Sequence, residues 1–365
     1  MKPGRAAWSL AGRLAFASLL LFWVFHAIFH DQARDVLAAQ GVVLDALPRL
    51  ERWGLVWRVG PAQLARTVVR IHPGWLAVSC LLWGVTLLVG VWRWQLVLRA
   101  AGIALSFRRA AEISLVAHFF NSFLLGSTGG DVLKAWYAAR HAPDHQPEAV
   151  TTVVVDRILG LFTMLAFAVI MVLPNLDLLR AYRRMALLAW VVAGMALLAG
   201  GFLALSLRGG VSRMFPGARA WLRRLPFGAT LERALEAGRS LGRRPGLLAG
   251  ALGWSVVLNV SCVLQLLTLV WGYGLDLPVR ALFFIVPAVI CLAALPLTPS
   301  GLGVRDNLYV YLLTVPTLGV DAGTALAISL VAYACSLVWS VLGGLVYVAM
   351  PGVRAGAKEL EQLPG

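Results

Sequence analysis

"NSFLLGSTGGDVLKAW" (residues 121–136) runs from an apolar segment into a glycine turn and then places Asp131 and Lys134 directly after it. The chain around it is 365 residues long, 60% hydrophobic and only 13% charged, with a mean hydropathy of +0.80. A soluble domain carries about 25% charged residues, so a charged glycine corner here is either a plain interhelical loop or a site inside an integral membrane protein. Its surroundings decide between the two.

Hydrocarbon needs about 20 apolar residues per crossing helix. Uncharged runs of that kind lie at 14–30, 73–92, 158–176, 185–207, 246–271 and 322–350. The basic N-terminus followed by an apolar run has no small-residue cleavage site after it and reads as an uncleaved first helix. Lys and Arg in the loops set orientation. The segment 208–245 holds nine arginines against two glutamates and reads as cytoplasmic. Lys2, Arg5 and Arg13 place the N-terminus on the same side, and Arg93, Arg99, Arg108 and Arg109 do so for the stretch after the second run. Segment 31–72 then faces the other side despite six arginines against four acids, and reads as an amphipathic helix pair on the surface.

With 93–109 cytoplasmic and 158–176 starting in the cytoplasm, 113–130 has to enter and return. Non-helical backbone at membrane depth needs cover from protein or a watery cavity, so a re-entrant hairpin implies a cavity. The same order recurs at "LPLTPSGLGVRDNLYVYLL" (295–313), where 281–304 ends in small residues and meets charge. Matched interrupted segments in two halves point to an inverted repeat with its site between them. The remaining run, 307–320, is about two-thirds of a span in length and reads either as a crossing or as half of a broken helix.

The expected fold is therefore an all-α integral membrane protein of about 6–8 transmembrane helices plus two re-entrant hairpins in an inverted repeat. The expected organisation is a first helix and surface segment (1–72), a helical bundle (73–350) with halves 73–207 and 246–350 joined by the basic loop 208–245, and a tail (351–365).

Six charges sit at the breaks: Asp131, Lys134, Asp156, Arg157, Arg305 and Asp306, three acids and three bases. A charge at membrane depth costs at least about 2.5 kcal/mol unless paired or solvated, so a balanced set fits an internal ion-pair network. Asp156-Arg157 reads as lying one turn into a span. Gly126, Gly129, Gly130, Gly301 and Gly303, with Ser300, permit tight turns, and the N–H groups that start the next helices suit an anion. The pattern is not GxxxxGK[ST], which excludes a P-loop. Phosphate contact is expected from Lys134, Arg157 and Arg305, with Asp131, Asp156 and Asp306 as the charge network. Asn121, close to His118, is either a cap or a substrate contact. "WRW" (92–94) reads as an interfacial anchor. The net charge of +15 resides in loops and points to lipid headgroups rather than nucleic acid. Cys80, Cys262, Cys291 and Cys335 lie in apolar runs and read as buried hydrophobes. No catalytic motif, metal set or cofactor motif is found; the "HAPDH" pair (141–145) sits in a proline-broken polar loop.

"NSFLLGSTGGDVLKAW", "VVVDRILGLF" and "PLTPSGLGVRDNLYVYLL" together resemble the signature blocks of the lysylphosphatidylglycerol synthetase transmembrane (flippase-like) family, over residues 75–350. The chain departs from the family pattern at Leu125, where the family has Pro, at Lys134 (Arg) and at Asp306 (Glu). The resemblance implies a multi-pass protein of the bacterial inner membrane that translocates or handles anionic or polyprenol-linked lipids. Some members carry a fused cytoplasmic aminoacyl-transferase domain; none is seen here, so lysyl-lipid synthesis is not expected of this chain alone. The expected function is a lipid flippase without cofactor, with an envelope-lipid synthesis system as partner. The alternatives are a membrane component of lipid-linked glycosyl or aminoacyl transfer, and an envelope scaffold.

Overall fold

The protein is described from a computed structural model covering residues 42–123, 129–208, 242–295, 301 and 303–349, with scattered positions between 22 and 37. Among these residues all regular structure is helical. Helix α1 is Arg49–Val69, α2 Pro73–Ala100, α3 Phe107–Phe123 and α4 Gly129–Arg140. Then follow α5 (Gln146–Ile170), the short α6 (Leu176–Ala181) and α7 (Arg183–Arg208). The second half holds α8 (Pro245–Gly272), α9 (Val279–Ala293), α10 (Val304–Leu313) and α11 (Ala322–Ala349).

Among the described residues five segments are long and apolar enough to cross a membrane: Pro73–Ala100, Pro143–Ile170, Arg183–Ala204, Pro245–Gly272 and Ala322–Ala349. The protein is a multi-pass helical membrane protein. Most of the expected span at 14–30 and most of the basic loop 208–245 lie outside the described residues.

Three boundaries differ from the sequence reading. Helix α2 continues eight residues past the expected end at 92, through "RWQLVLRA", because Arg93 finds a buried partner and does not end the helix. Helix α5 starts at Gln146, behind Pro147 in its first turn, so its span begins well before 158. Segment 307–320 does not cross: α10 ends at Leu313 and a turn leads into α11. One member of the expected surface pair within 31–72 is the 21-residue helix α1, which buries Val56, Gly60, Leu64 and Thr67; the described positions 33, 34, 36 and 37 are also helical.

The two halves repeat with a constant offset. Pro73 and Pro245 open α2 and α8, 172 positions apart (245 − 73), and α3 and α9 start with the same separation (279 − 107). Both long helices close alike. Gly102 and Gly274 take positive φ (82° and 71°), the left-handed conformation that suits glycine beyond a helix end. Ile103 N–H reaches Leu98 O (2.9 Å) as Leu275 N–H reaches Val270 O (3.1 Å), again at the same offset.

Helices α2 and α8 pack against each other antiparallel. His72 N–H donates to Gly272 O (2.8 Å), Ser79 Oγ to Gln265 O (3.0 Å), Thr86 and Ser261 hydroxyls bond (2.8 Å), and Arg244 donates to Arg99 O (3.0 Å). Equivalent helices running in opposite directions make the repeat an inverted one. The remaining packing obeys the exchange: α4 lies on α5 and α10 on α11, while α3 crosses to α11 and α9 crosses to α5.

The short pairs α3/α4 and α9/α10 are tight hairpins around the breaks. A Cβ on Gly130 would overlap the Ala117 carbonyl, and one on Gly301 (φ 68°) would press on Ala293. The α3–α11 seam is also close-packed, since a Cβ on Gly343 would overlap the Leu115 carbonyl. Small residues let helix backbones approach in this way in membranes. Gly343→Ala is therefore expected to destabilise the purified protein by about 1–3 kcal/mol, read as a lowered melting midpoint in detergent. Gly253→Ala, where a Cβ meets nothing within 4 Å, is the control and should be neutral or better. Equal midpoints for the two variants would contradict this packing.

Candidate functional site

Asp156 lies ten residues into α5 (156 − 146), about 15 Å along its axis, not one turn into a span. Its Oδ1 accepts from Arg93 Nε at 2.8 Å, and its Oδ2 lies 3.7 Å from Lys134 Nζ. The three side chains come from α5, α2 and α4, and are 7%, 10% and 12% exposed, so the carboxylate is shared between two buried cations. Lys134 Nζ also sits 4.1 Å from the centre of the Trp94 ring. That ring is held in turn by Thr152 Oγ1, which accepts from Trp94 Nε1 at 3.2 Å. Thr152 and Asp156 are four residues apart and share one helix face. One turn beyond Asp156 stands Gly160, where a Cβ would meet Arg93 Nη1 at 2.7 Å; glycine leaves the guanidinium its room.

Arg157, the next residue, points elsewhere because successive helix positions diverge by about 100°. Its Nε lies 2.7 Å from Asp131 Oδ2, and its side chain stays 55% exposed. Asn121 fixes the start of α4: its Oδ1 accepts from Gly130 N–H at 2.8 Å and its Nδ2 reaches Asp131 at 3.4 Å. Asn121 thus caps the hairpin that positions Asp131.

The second break builds a separate cluster. Asp306, fully buried, accepts from Gly303 N–H (2.9 Å), Ser329 Oγ (2.5 Å) and Arg305 Nη2 (3.0 Å). Arg305 also donates to Ser329 Oγ (3.2 Å) and lies over the Tyr333 ring. Gly303 carries φ 79° as the cap of α10.

A cavity of about 400 Å³ opens beside the first cluster. Arg93, Asp131 and Arg157 form its polar end. Its other walls are Ile158, Gly160, Leu161 and Met164 of α5, Leu258 of α8, and Ile290, Cys291 and Ala294 at the end of α9. It therefore lies between the halves, with one hairpin at each side.

Of the three cations expected to meet phosphate, Arg157 alone lines this cavity; Lys134 is held behind it by Asp156 and Trp94, and Arg305 belongs to the second cluster. The N–H groups of Gly130 and Gly303 are bonded within the protein, so those two donors are not offered to an anion. Gly129 begins α4 and Gly301 packs under α9; Gly126 and Ser300 lie outside the described residues. The sequence reading missed Arg93, which it took for a loop marker within an interfacial "WRW". Trp94 is buried and Trp92 stacks on Trp254, so the tripeptide is internal on one side. A lone arginine inside an otherwise apolar run was the available signal.

A family model for the lysylphosphatidylglycerol synthase TM region matches residues 10–344. The chain belongs to this family. A comparison with curated proteins finds no match. The matched segment takes in both hairpins, both charge clusters and every residue that lines the cavity.

Removing one partner of a buried ion pair costs about 3–5 kcal/mol because the other charge is left uncompensated. Asp156→Asn strands two cations and is expected to abolish a monodisperse, thermally stable protein in size-exclusion chromatography. Arg157→Gln, on an exposed side chain, should leave the elution profile intact. Similar behaviour of the two variants would refute the shared-carboxylate assignment.

Proposed function

We propose that this family member moves lipids with a phosphate-bearing headgroup between the leaflets of the bilayer, with the headgroup lodged in the cavity between the two hairpins. The observation that carries this reading is the cavity's division into a cationic end and an apolar remainder. Arg157 is held by a single carboxylate at 2.7 Å and remains more than half exposed, so a phosphate can replace Asp131 on its guanidinium. A charge-assisted bidentate arginine–phosphate pair is about twice as strong as a neutral hydrogen bond. Arg93 extends the positive field from the same wall, and Ile158, Leu161 and Leu258 offer an apolar surface for the lipid's chains.

The reaction this requires is transport, not bond-making. A bare headgroup crossing hydrocarbon loses its hydration, and the cationic end supplies a substitute for part of it. The inverted repeat adds a route, since opposed halves can exchange which face a central site meets. In this reading the protein sits in a bacterial inner membrane with its N-terminus cytoplasmic. Hairpin α3/α4 then enters from the cytoplasm and α9/α10 from the opposite face. A synthesis system for the transported lipid is the natural partner.

The test is reconstitution of the full chain into vesicles with labelled lipids, followed over time by accessibility in the outer leaflet. Wild type should move at least one phosphate-bearing lipid faster than empty vesicles, and Arg157→Gln should slow it by about tenfold or more, the equivalent of one lost charged contact. If every lipid class moves at the empty-vesicle rate, the transport reading falls.

A further inference from the structure

The six charges at the breaks sum to zero, but the structure adds Arg93 to them. Around the cavity the described cluster is Arg93, Lys134 and Arg157 against Asp131 and Asp156, three positive charges and two negative. The second cluster, Arg305 with Asp306, is balanced. In sequence, residues 124–128 and 296–300 read "LLGST" and "PLTPS" and carry no charge. The other ion pairs described, Arg108 and Arg109 with Glu112 and Arg280 with Asp177, stand at helix starts away from the cavity.

Each member of the cluster faces an opposite charge: Arg93 and Lys134 meet Asp156, and Arg157 meets Asp131. Arg93 and Asp156 share a 2.8 Å bond, and Lys134 has the same carboxylate on one side and the Trp94 ring face on the other. Arg93 stands 6.5 residues from the midpoint of α2, about 10 Å along its axis. The midpoint of an inverted pair lies near the bilayer centre, and half the hydrocarbon thickness is about 15 Å. One positive charge in excess therefore sits where hydrocarbon surrounds the bundle, and Arg157, more than half exposed into the cavity, is the cation through which it is offered.

We propose that the cavity selects a headgroup carrying one negative charge, a single phosphodiester with no compensating amine. This rests on the headgroup reading of the cavity and narrows it. A phosphodiester has one ionisable oxygen and stays a monoanion at every physiological pH, so it brings the cluster to neutrality. A zwitterionic headgroup leaves the excess in place. A phosphate monoester or a diphosphate carries about two charges and overshoots to a net negative site beside Asp131. The same chemistry occurs on a glycerophospholipid or on a polyprenyl monophosphate sugar, and the selection acts on charge rather than on the anchor.

The experiment extracts the full chain from vesicles of equimolar phosphatidylglycerol, phosphatidylethanolamine and phosphatidic acid, and quantifies retained lipid by mass spectrometry. A parallel arm offers polyprenyl monophosphate sugar against polyprenyl diphosphate sugar, which separates the two anchors. The expected result is enrichment of the monoanionic phosphodiester by about tenfold over both the zwitterion and the dianion in at least one arm. Arg157→Gln and Lys134→Gln should each erase the preference over phosphatidylethanolamine, although Lys134 does not line the cavity, and Lys134→Arg should restore it. Asp131→Asn should shift retention toward the dianion. Retention indifferent to charge, a wild-type preference for the dianion, or loss with Arg157→Gln but not with a folded Lys134→Gln would overturn the proposal. Selective retention without transbilayer movement would instead count against the transport reading and leave this inference standing.

Discussion

The site depends on one carboxylate. Asp156 lies between Arg93 and Lys134, and in doing so ties α5 to α2 and to the short helix α4. Helix α4 is only 12 residues long and cannot cross a bilayer, so its place in the bundle has to come from contacts of this kind and from packing. The bond also determines the neighbouring residue's role. Once Asp156 faces the interior, helix geometry turns Arg157 toward the cavity, where it meets Asp131. Two adjacent residues of opposite charge thus serve two purposes, one holding the hairpin and one meeting the cavity.

The inverted repeat supplies the frame for that arrangement. Helices α2 and α8 form an antiparallel pair through small polar groups (Ser79, Thr86, Ser261 and Gln265) that satisfy one another where water is scarce. Each half then lends its first hairpin helix to the span that follows the other half's hairpin. The two breaks are equivalent in topology but not in chemistry. The second is sealed around Asp306 with a serine and its own arginine, while the first keeps an exposed arginine and an open space. That asymmetry places the candidate site in one half of a symmetric scaffold.

Much of this was legible in the sequence. Hydropathy gave the membrane class, and glycine breaks followed by charge gave both hairpins. The errors share a cause. Charge was read as lying at or near the end of a span, so α2 was cut before Arg93, and Asp156-Arg157 was set one turn into its span when α5 begins ten residues earlier. Both arginines sit inside their helices because a carboxylate from elsewhere pairs with them. Pairing across helices leaves no trace in a hydropathy profile. The 172-residue offset was likewise hidden, because the halves share cap geometry and helix length but few letters, as at Gly102 and Gly274. The glycine N–H groups looked free for an anion until Asn121 and Asp306 were seen to occupy two of them.

The central claim is that a lipid headgroup occupies the cavity at Arg157. The most direct measurement is an experimental structure of the full chain in lipid nanodiscs, at a resolution that shows bound lipid. The account expects a phosphate within hydrogen-bonding distance of Arg157, Asp131 displaced from it, and the acyl chains running along α5 toward α9. Lipid confined to the outer surface, with the Arg157–Asp131 pair closed at 2.7 Å in every particle class, would contradict it.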